Sequence, residues 1–247
     1  MTTLPGSPSE ETPIPRFQLT NLSVRLLTAA VVLPIVVIIS LTGGWLFAIA
    51  CGVIALLGMI ELHGIAYAWA KRHGHLDLVS FLGAAGFGLV YIGIPTLMLI
   101  SMRQMPNGMV WIALVYALTW GTDTFAYIGG RLWGKTPLAP RISPKKTREG
   151  AIAGVIGSFF ASMLVLIVAG RFDPVFLLLL SIAPAAAIIG DLFESAIKRT
   201  AEIKDSHLAG FNIFPGHGGV LDRVDSLIFV SALTFIFLQL VQTGVAL

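Results

Sequence analysis

Seven apolar stretches, each close to the length of a membrane-spanning helix, occupy most of this chain. A helix needs roughly 20 mostly apolar residues to cross the hydrocarbon core of a bilayer. Of the 247 residues, 56% are hydrophobic and only 12% are charged, whereas a soluble domain usually carries about 25% charged residues. We therefore predict an all-α, polytopic membrane protein. The predicted spans are residues 24–43, 45–66, 78–101, 109–128, 151–170, 174–193 and 226–245.

The polar start of the chain differs from the rest. Residues 1–22 contain four prolines and few apolar residues, a composition that predicts a disordered cytoplasmic tail. We expect residues 23–247 to form a single membrane domain, with an N-terminal part at 23–108 and a C-terminal part at 109–247. The single cysteine, Cys51, excludes an intramolecular disulfide and a multi-cysteine zinc site.

The basic residues gather on one side of the predicted bundle. If seven spans alternate in direction, every Lys and Arg except Arg103 and Arg171 falls on the side of the N-terminus. Short loops rich in Lys and Arg stay in the cytoplasm. We therefore expect the N-terminus and the loops at 67–77, 129–150 and 194–225 to face the cytoplasm.

Three carboxylates lie inside predicted spans, at Glu61, Asp123 and Asp191, all toward the predicted cytoplasmic end. Carboxylates within spans are costly and usually face a polar cavity, although a side chain near a helix end can also reach the interface. The shared depth of the three, beside two basic loops, favours a common polar cavity that opens to the cytoplasm.

The loop at 129–150 contains a match to the phosphate-binding pattern G-x-x-x-x-G-K-[ST], from Gly129 to Thr136. That pattern requires a preceding strand, whereas a membrane span precedes it here, so we interpret the match as accidental. Its glycine amides and Lys135 remain suited to meeting a phosphate, as does Lys146 further on. Taken alone, the segment is better explained as a basic loop without a ligand.

A denser polar segment begins near the end of the sixth span. Four side chains at helical spacing share one face there. They are Asp191, Glu194, Ser195 and Lys198. A surface ion pair between Glu194 and Lys198 is the simpler interpretation of that face.

After a glycine-rich turn, Asp222 and Asp225 share the next helical face. Paired carboxylates supply hard oxygen ligands for Mg²⁺, and glycine turns supply N–H donors for anions. Together with the cations, this set is suited to the transfer of a nucleotide phosphate.

The segment from 195 to 225 resembles the signature of phosphatidate cytidylyltransferases (CDP-diglyceride synthases). The matching residues are Ser195, Lys198, Arg199, Lys204, Asp205, His217, Gly218, Gly219, Asp222, Arg223 and Asp225. An upstream run from 123 to 150 is also similar to that family, and it includes Asp123, Lys135 and Lys146. The turn at 206–216 is longer than its counterpart in the family.

The resemblance implies transfer of the cytidylyl group of CTP to phosphatidate, giving CDP-diacylglycerol and pyrophosphate for phospholipid synthesis. It implies that Asp191 and Asp222 hold Mg²⁺, with Asp225 and Asp123 as further ligands. Whether a second, monovalent cation assists Mg²⁺ stays open, and 109–247 would be the catalytic part of the chain.

The resemblance also assigns roles in substrate binding. Lys198, Arg199 and Arg223 would bind phosphates, with Lys198 and Arg223 counted among the catalytic residues. Lys204 and the turn His217-Gly218-Gly219 would hold the triphosphate or the leaving pyrophosphate. Lys135 and Lys146 would contact the lipid phosphate or CTP, and Ser195 and Asp205 complete the substrate-binding set.

The implied partners are CTP, phosphatidate and the lipid bilayer, with no nucleic acid. The protein would be a multi-pass protein of a bacterial inner membrane whose active site faces the cytoplasm. Small-residue patches permit close helix packing within or between chains, so a homodimer stays open. Two other functions stay open as well: a CTP-dependent polyprenol or lipid kinase, and a membrane transporter, whose ionisable residues would be expected near mid-membrane.

Overall fold

The computed structural model describes residues 17–203 and 219–244, with side chains from Ala30 onward. That part of the chain is almost entirely helical. Its elements are α1 (Phe17–Thr42), α2 (Gly44–His73), α3 (Leu78–Gly88), α4 (Ile94–Gln104), α5 (Gly108–Trp133), β1 (Pro137–Ala139), β2 (Ser143–Thr147), α6 (Arg148–Val168), α7 (Phe176–Thr200) and α8 (Leu221–Gln242).

The predicted all-α, polytopic architecture is confirmed. A π-helical turn joins α3 to α4, so the described residues hold seven long helical segments in the predicted order. Five of these segments are long and apolar enough to cross a membrane, and Ala30–Thr42 adds a shorter apolar helix. Large apolar side chains are exposed along most of the helices, which suits a surface covered by lipid. The chain is an integral, multi-pass membrane protein.

Some helix ends differ from the predicted boundaries. α1 begins at Phe17 and takes in residues 17–22, which the sequence had assigned to the tail, whereas residues 1–16 lie outside the described part. α2 continues beyond its predicted end to His73. Basic residues fill its last turn, where their positive charge interacts favourably with the negative end of the helix dipole. Gly74 ends the helix in the left-handed conformation.

The π-helical turn, Leu89–Gly93, lies directly before Pro95. Proline lacks the N–H that would bond the carbonyl one turn earlier. The extra residue of the π-helical turn accommodates this missing hydrogen bond. The hydroxyl of Thr96 donates to the carbonyl of Ile92 at 2.7 Å. The helix therefore continues through the proline as a single segment, as the sequence predicted for this span.

α3 begins with a side-chain cap. The backbone N–H of Ser80 donates to Oδ1 of Asp77 at 2.7 Å. This hydrogen bond stabilises the carboxylate, and so it holds the pKa of Asp77 below its ordinary value. Asp77 thus marks where the connection after α2 ends.

The segment predicted as a loop at 129–150 is instead the end of α5, a two-stranded antiparallel hairpin and the start of α6. Thr147 ends the hairpin and caps α6, because its hydroxyl oxygen accepts the N–H of Gly150 at 3.2 Å. The strands are short and polar, without the alternation of apolar residues that predicts a sheet. We call the end of the bundle that carries this hairpin the hairpin end.

The hairpin end also holds the C-termini of α2 and α7 and the start of α8. Nη1 of Arg72, in the last turn of α2, pairs with Oε2 of Glu202 at 2.8 Å, just beyond α7. Nε of Arg199 donates to the carbonyl of Ile142 in the hairpin at 3.2 Å. The basic loops of the chain therefore meet at one end of the helices.

The two cations predicted on the opposite side lie at the opposite end. The guanidinium of Arg103 donates to the carbonyls of Ser40 and Leu41, at 2.8 and 2.9 Å, in the last turn of α1. Nη2 of Arg171 donates to Oδ1 of Asn107 at 3.0 Å. These contacts agree with the alternation of spans from which the charge asymmetry was derived.

α5 and α6 pack so closely that glycines are needed between them. A Cβ added to Gly154 would lie 2.8 Å from the carbonyl oxygen of Thr122 and 3.0 Å from Cβ of Ala126. The small-residue patch at 150–154 therefore packs within the chain, against α5. This contact fixes the helix that carries Asp123.

Replacement of Gly43 by alanine should destabilise the protein. Gly43 has φ +66° and ψ −147°, a conformation open almost only to glycine, and a Cβ there would press on the guanidinium of Arg103. We expect Gly43→Ala to lower the free energy of unfolding by about 1–2 kcal/mol or more, measured by denaturant titration in detergent.

Gly44→Ala is the matched control for this prediction. Gly44 also has a positive φ, but nothing lies near the position of its Cβ. We therefore expect a smaller loss at Gly44 than at Gly43. Equal losses at the two positions would contradict the role given to Arg103.

Candidate active site

Polar side chains from α7 and α8 meet at the hairpin end. Asp191, Ser195 and Lys198 follow one another along a face of α7, and Asp222 and Asp225 lie in the first turns of α8. The two helices pack against each other. The faces that the sequence predicted separately therefore lie side by side.

A close approach of the two backbones sets the spacing of these faces. A Cβ added to Gly190 would lie 2.8 Å from the carbonyl oxygen of Asp225 and 2.9 Å from the ring of Phe229. Both distances are shorter than a real Cβ contact allows, so a glycine is required there. Its neighbour Asp191 is thereby held close to α8.

Glu194, Lys198 and Asp222 form one group, which we call the Lys198 cluster. Nζ of Lys198 pairs with Oε2 of Glu194 at 2.6 Å and also with Oδ1 of Asp222. Oδ2 of Asp222 accepts the N–H of Gly219 at 2.8 Å. The side chain of Glu194 is only 1% exposed, and within the described part of the chain its Oε1 is buried without a hydrogen-bond partner. One lysine thus forms ion pairs with two carboxylates in a largely buried site.

Asp123, Asp191 and Asp225 form a second group with Lys146, the Asp191 cluster. Nζ of Lys146, on β2, pairs with Oδ2 of Asp191. Ser195 Oγ lies 3.5 Å from Oδ1 of Asp191, which is long for a hydrogen bond. The three carboxylates interact electrostatically with one another and with Lys146. Asp225 is 8% exposed, so three acidic side chains meet in a partly buried place.

The remaining predicted site residues that the structure describes lie around these clusters. The side chains of Arg199, Arg223 and Lys135 are exposed. Arg199 joins α7 to the hairpin through its bond to Ile142, and Arg223 interacts electrostatically with Asp123. The N–H of Gly219 is bonded to Asp222, and its predicted role in phosphate binding stays a prediction.

The G-x-x-x-x-G-K-T segment does not form a phosphate-binding loop here. It follows the helix α5, and the N–H groups of Lys135 and Thr136 donate to the carboxylate of Glu149 at 3.1 and 3.2 Å. The carboxylate of Glu149 therefore accepts the hydrogen bonds that the amides of such a loop would donate to a phosphate.

Two buried glutamates were absent from the predicted site. Glu194 was placed on the polar face of α7, but only as half of a surface pair, and its burial was not foreseen. Glu61 was recognised as a carboxylate inside a span, yet it accepts the N–H groups of Val220 and Leu221, at 2.9 and 2.8 Å, at the start of α8. The position of Glu61 in an apolar span indicated that its carboxylate needs a polar partner. The spacing of residues in the sequence did not indicate which partner that is.

Part of the predicted site lies outside the described residues. Lys204, Asp205, His217 and Gly218 fall there, as does the extended turn at 206–216. Their predicted roles stay predictions.

The predicted metal ligands fall into different clusters. Asp191 and Asp225 belong to the Asp191 cluster, whereas Asp222 is bonded to Lys198 and Gly219. In residues 17–203 and 219–244, no three His, Cys, Asp or Glu side chains are already arranged to hold one metal ion.

An apolar cavity of about 350 Å³ lies beside the clusters, walled by α1, α2, α4, α5, α8 and the π-helical turn. It extends along α8 from Val220 to Ser231, and its described wall has a single charged residue, Arg223. Ser231 and Tyr116 add polar groups to an otherwise mostly apolar wall. The cavity thus joins a cationic end at the hairpin side to an apolar interior.

Comparison with known proteins gives a consistent result. A sequence model described as the cytidylyltransferase family matches residues 66–241, a region that contains both clusters. The phosphatidate cytidylyltransferase of Brucella abortus biovar 1 (strain 9-941) is 39% identical over 201 residues, covering 78% of this chain and 72% of that protein. The protein of the same name from Rickettsia bellii (strain RML369-C) is 34% identical over 226 residues, covering 88% of this chain and 91% of that protein.

Removal of the bridging lysine should destabilise the folded chain. Lys198→Met keeps most of the side-chain volume but leaves Glu194 and Asp222 buried next to each other without their cation. Breaking a buried ion pair from one side costs about 3–5 kcal/mol, and we expect a loss of that order in the free energy of unfolding in detergent.

A second substitution tests the electrostatic cause. Lys198→Met combined with Glu194→Gln removes one of the two carboxylate charges and should recover part of the loss. Lys145→Met, an exposed position in the hairpin, serves as the control and should have little effect. A double variant no more stable than Lys198→Met would contradict the assigned charge balance.

Proposed function

This chain belongs to the cytidylyltransferase family, and we propose that it transfers the cytidylyl group of CTP to phosphatidate. The products are CDP-diacylglycerol and pyrophosphate. Relatives at 34% and 39% identity carry the name phosphatidate cytidylyltransferase. The observation that supports this function most directly is that α8 carries residues of both charged clusters, Asp222 and Asp225, and between them Arg223, which lines an apolar cavity within the membrane bundle.

That arrangement suits two substrates of opposite character. CTP is dissolved in water, whereas phosphatidate has its acyl chains in the bilayer and its phosphate at the surface. The cavity offers an apolar wall of about 350 Å³ that includes the cation Arg223. We place an acyl chain in this cavity and the lipid phosphate beside Arg223, where its charge is neutralised.

The reaction needs no strong general base. An oxygen of the phosphatidate monoester, already an anion, forms a bond to the α-phosphorus of CTP. The bond from the α-phosphorus to the oxygen that bridges it to the β-phosphorus breaks, and pyrophosphate leaves with that electron pair. The difficulty is the mutual repulsion of two polyanions, so positioning and charge neutralisation provide most of the rate enhancement.

The chain offers cations for the phosphates of both substrates. Lys146 and Lys198 are held beside carboxylates by ion pairs, which keep their ammonium groups in fixed positions. We assign them to the triphosphate, together with Arg199 at the end of α7. Arg223 is assigned to the lipid phosphate.

The donor chemistry of the clusters fits a divalent cation. Carboxylate oxygens are the ligands that Mg²⁺ prefers, and the acids outnumber the lysines in both clusters, with Oε1 of Glu194 left without a partner among the described residues. We propose that Asp191, Asp222 and Asp225 hold Mg²⁺, with Asp123 as a further ligand, and that a monovalent cation can occupy the same acidic region. Bound Mg²⁺ would neutralise the triphosphate and favour in-line displacement.

The orientation follows from the charge distribution. Since loops rich in Lys and Arg stay in the cytoplasm, the hairpin end faces the cytoplasm, where CTP is available. The bacterial relatives suit a location in the inner membrane. The chain then presents its site to dissolved nucleotide on one side and to membrane lipid on the other.

The direct test is an assay of the purified protein in detergent with labelled CTP, phosphatidate and Mg²⁺. We expect labelled CDP-diacylglycerol, and we expect Asp222→Asn to lower kcat by about 100-fold while the protein stays folded. Asp173→Asn is the matched control. Asp173 lies at the opposite end, where its Oδ1 accepts the N–H of Val175, and its replacement should leave kcat unchanged.

Other outcomes would overturn the proposal. Label in a phosphorylated alcohol would indicate a CTP-dependent lipid kinase, and absence of turnover with ion flux in liposomes would indicate a transporter. Parental activity of Asp222→Asn would remove Asp222 from the site, and full activity in excess EDTA would rule out the role of a divalent cation.

The acyl-chain cavity gives a separate prediction. Val36 lines the cavity, whereas its neighbour Val37 is 39% exposed on the outer surface of α1. We expect Val36→Trp to raise KM for phosphatidate about tenfold, with KM for CTP unchanged, because the added ring fills space meant for the lipid. Val37→Trp should leave both constants unchanged, and an equal effect of the two substitutions would place the lipid elsewhere.

A further inference from the structure

The start of α8 is held by a side chain from α2. Oε1 of Glu61 accepts the N–H of Val220 at 2.9 Å, and Oε2 accepts the N–H of Leu221 at 2.8 Å. Glu61 is 5% exposed, so both bonds are shielded from water. The carboxylate thus spans 159 residues of sequence to engage two adjacent backbone donors.

α8 has no capping side chain of its own at this point. Its N-cap position is Val220, whose side chain cannot accept a hydrogen bond. The first N–H groups of a helix lack partners within the helix, and in apolar surroundings an unpaired donor is costly. Glu61 satisfies two of them, and the positive end of the helix dipole favours its negative charge.

The next donor back along the chain is also fixed by a carboxylate. The N–H of Gly219 is bonded to Oδ2 of Asp222, so three consecutive N–H groups, at 219–221, face two carboxylates. Asp222 lies one residue beyond Leu221, and Asp225 follows one turn later. Glu61 therefore holds the backbone immediately before both aspartates.

We propose that Glu61 is a positioning residue for the transfer reaction, which fixes the first turn of α8 and thereby the carboxylates of Asp222 and Asp225. The inference rests on the proposed function for the meaning of that position. Glu61 precedes the region at 66–241 that the family model matches, so it adds a residue from the N-terminal part of the chain to the machinery of the C-terminal part.

The deciding variant is Glu61→Gln, which keeps the shape of the side chain but offers only one acceptor oxygen. We expect kcat to fall by about 10- to 100-fold, with KM for CTP within about threefold of the parent. Hydrogen exchange at the amides of Val220 and Leu221 should accelerate, while the rest of α8 keeps its protection. Glu61→Asp retains the charge on a shorter side chain and should have intermediate activity.

Glu202→Gln is the matched control, because it removes an exposed carboxylate that pairs with Arg72 at the same end of the bundle. It should change neither kcat nor the exchange at 220 and 221. Parental kcat in Glu61→Gln would overturn the proposal, whether or not exchange changes. Loss of protection throughout α2 and α8, or failure of the variant to fold, would also overturn it, since the role would then be only structural.

The exchange measurement keeps this inference separate from the proposed function. If the parent protein transfers no cytidylyl group, the proposed function fails. Faster exchange confined to 220 and 221 would still show that Glu61 holds the start of α8, and the inference about the reaction would fail together with the function.

Discussion

A carboxylate buried among apolar helices must have a partner, and the hairpin end of this protein depends on that constraint. An unpaired buried charge costs more free energy than a small domain can spare. Glu61 accepts hydrogen bonds from two backbone amides. Asp222 forms an ion pair with Lys198, and Asp191 forms one with Lys146. These bonds tie α2, the hairpin, α7 and α8 together. Helices in a bilayer gain little from the hydrophobic effect when they associate, because lipid is as apolar as the side chains, so these polar contacts add to what close packing supplies.

The sequence predicted the helices well because the bilayer dictates their length, and it predicted which residues lie at each end because charge is confined to the ends. Arg103 and Arg171 illustrate this, since both lie away from the hairpin end as expected. The hairpin at 137–147 was missed. Its strands are short and polar, and pairing depends on where α5 and α6 hold their ends rather than on any apolar period.

The site was predictable in composition but not in its internal arrangement. Helical periodicity placed Asp191, Ser195 and Lys198 on one face, and the structure keeps them there. Periodicity carries no information on which carboxylate each lysine selects, so the division into two clusters and the burial of Glu194 came only from the packing of α7 on α8. The same holds for Glu61, whose partner lies 159 residues away.

The charge of the two clusters bears on how the proposed reaction begins. The two clusters contain five acidic side chains, at positions 123, 191, 194, 222 and 225, and three cations interact with them: Lys146, Lys198 and the nearby Arg223. Each of these acids that is ionised would repel a bare triphosphate, since like charges at close range in a partly buried site disfavour each other by several kcal/mol. Added positive charge would relieve this repulsion, and the acidic residues would favour its arrival as a cation bound with the triphosphate. In the proposed reaction the same acidic residues would hold the CTP–cation complex in place, and this reconciles an acidic site with an anionic substrate.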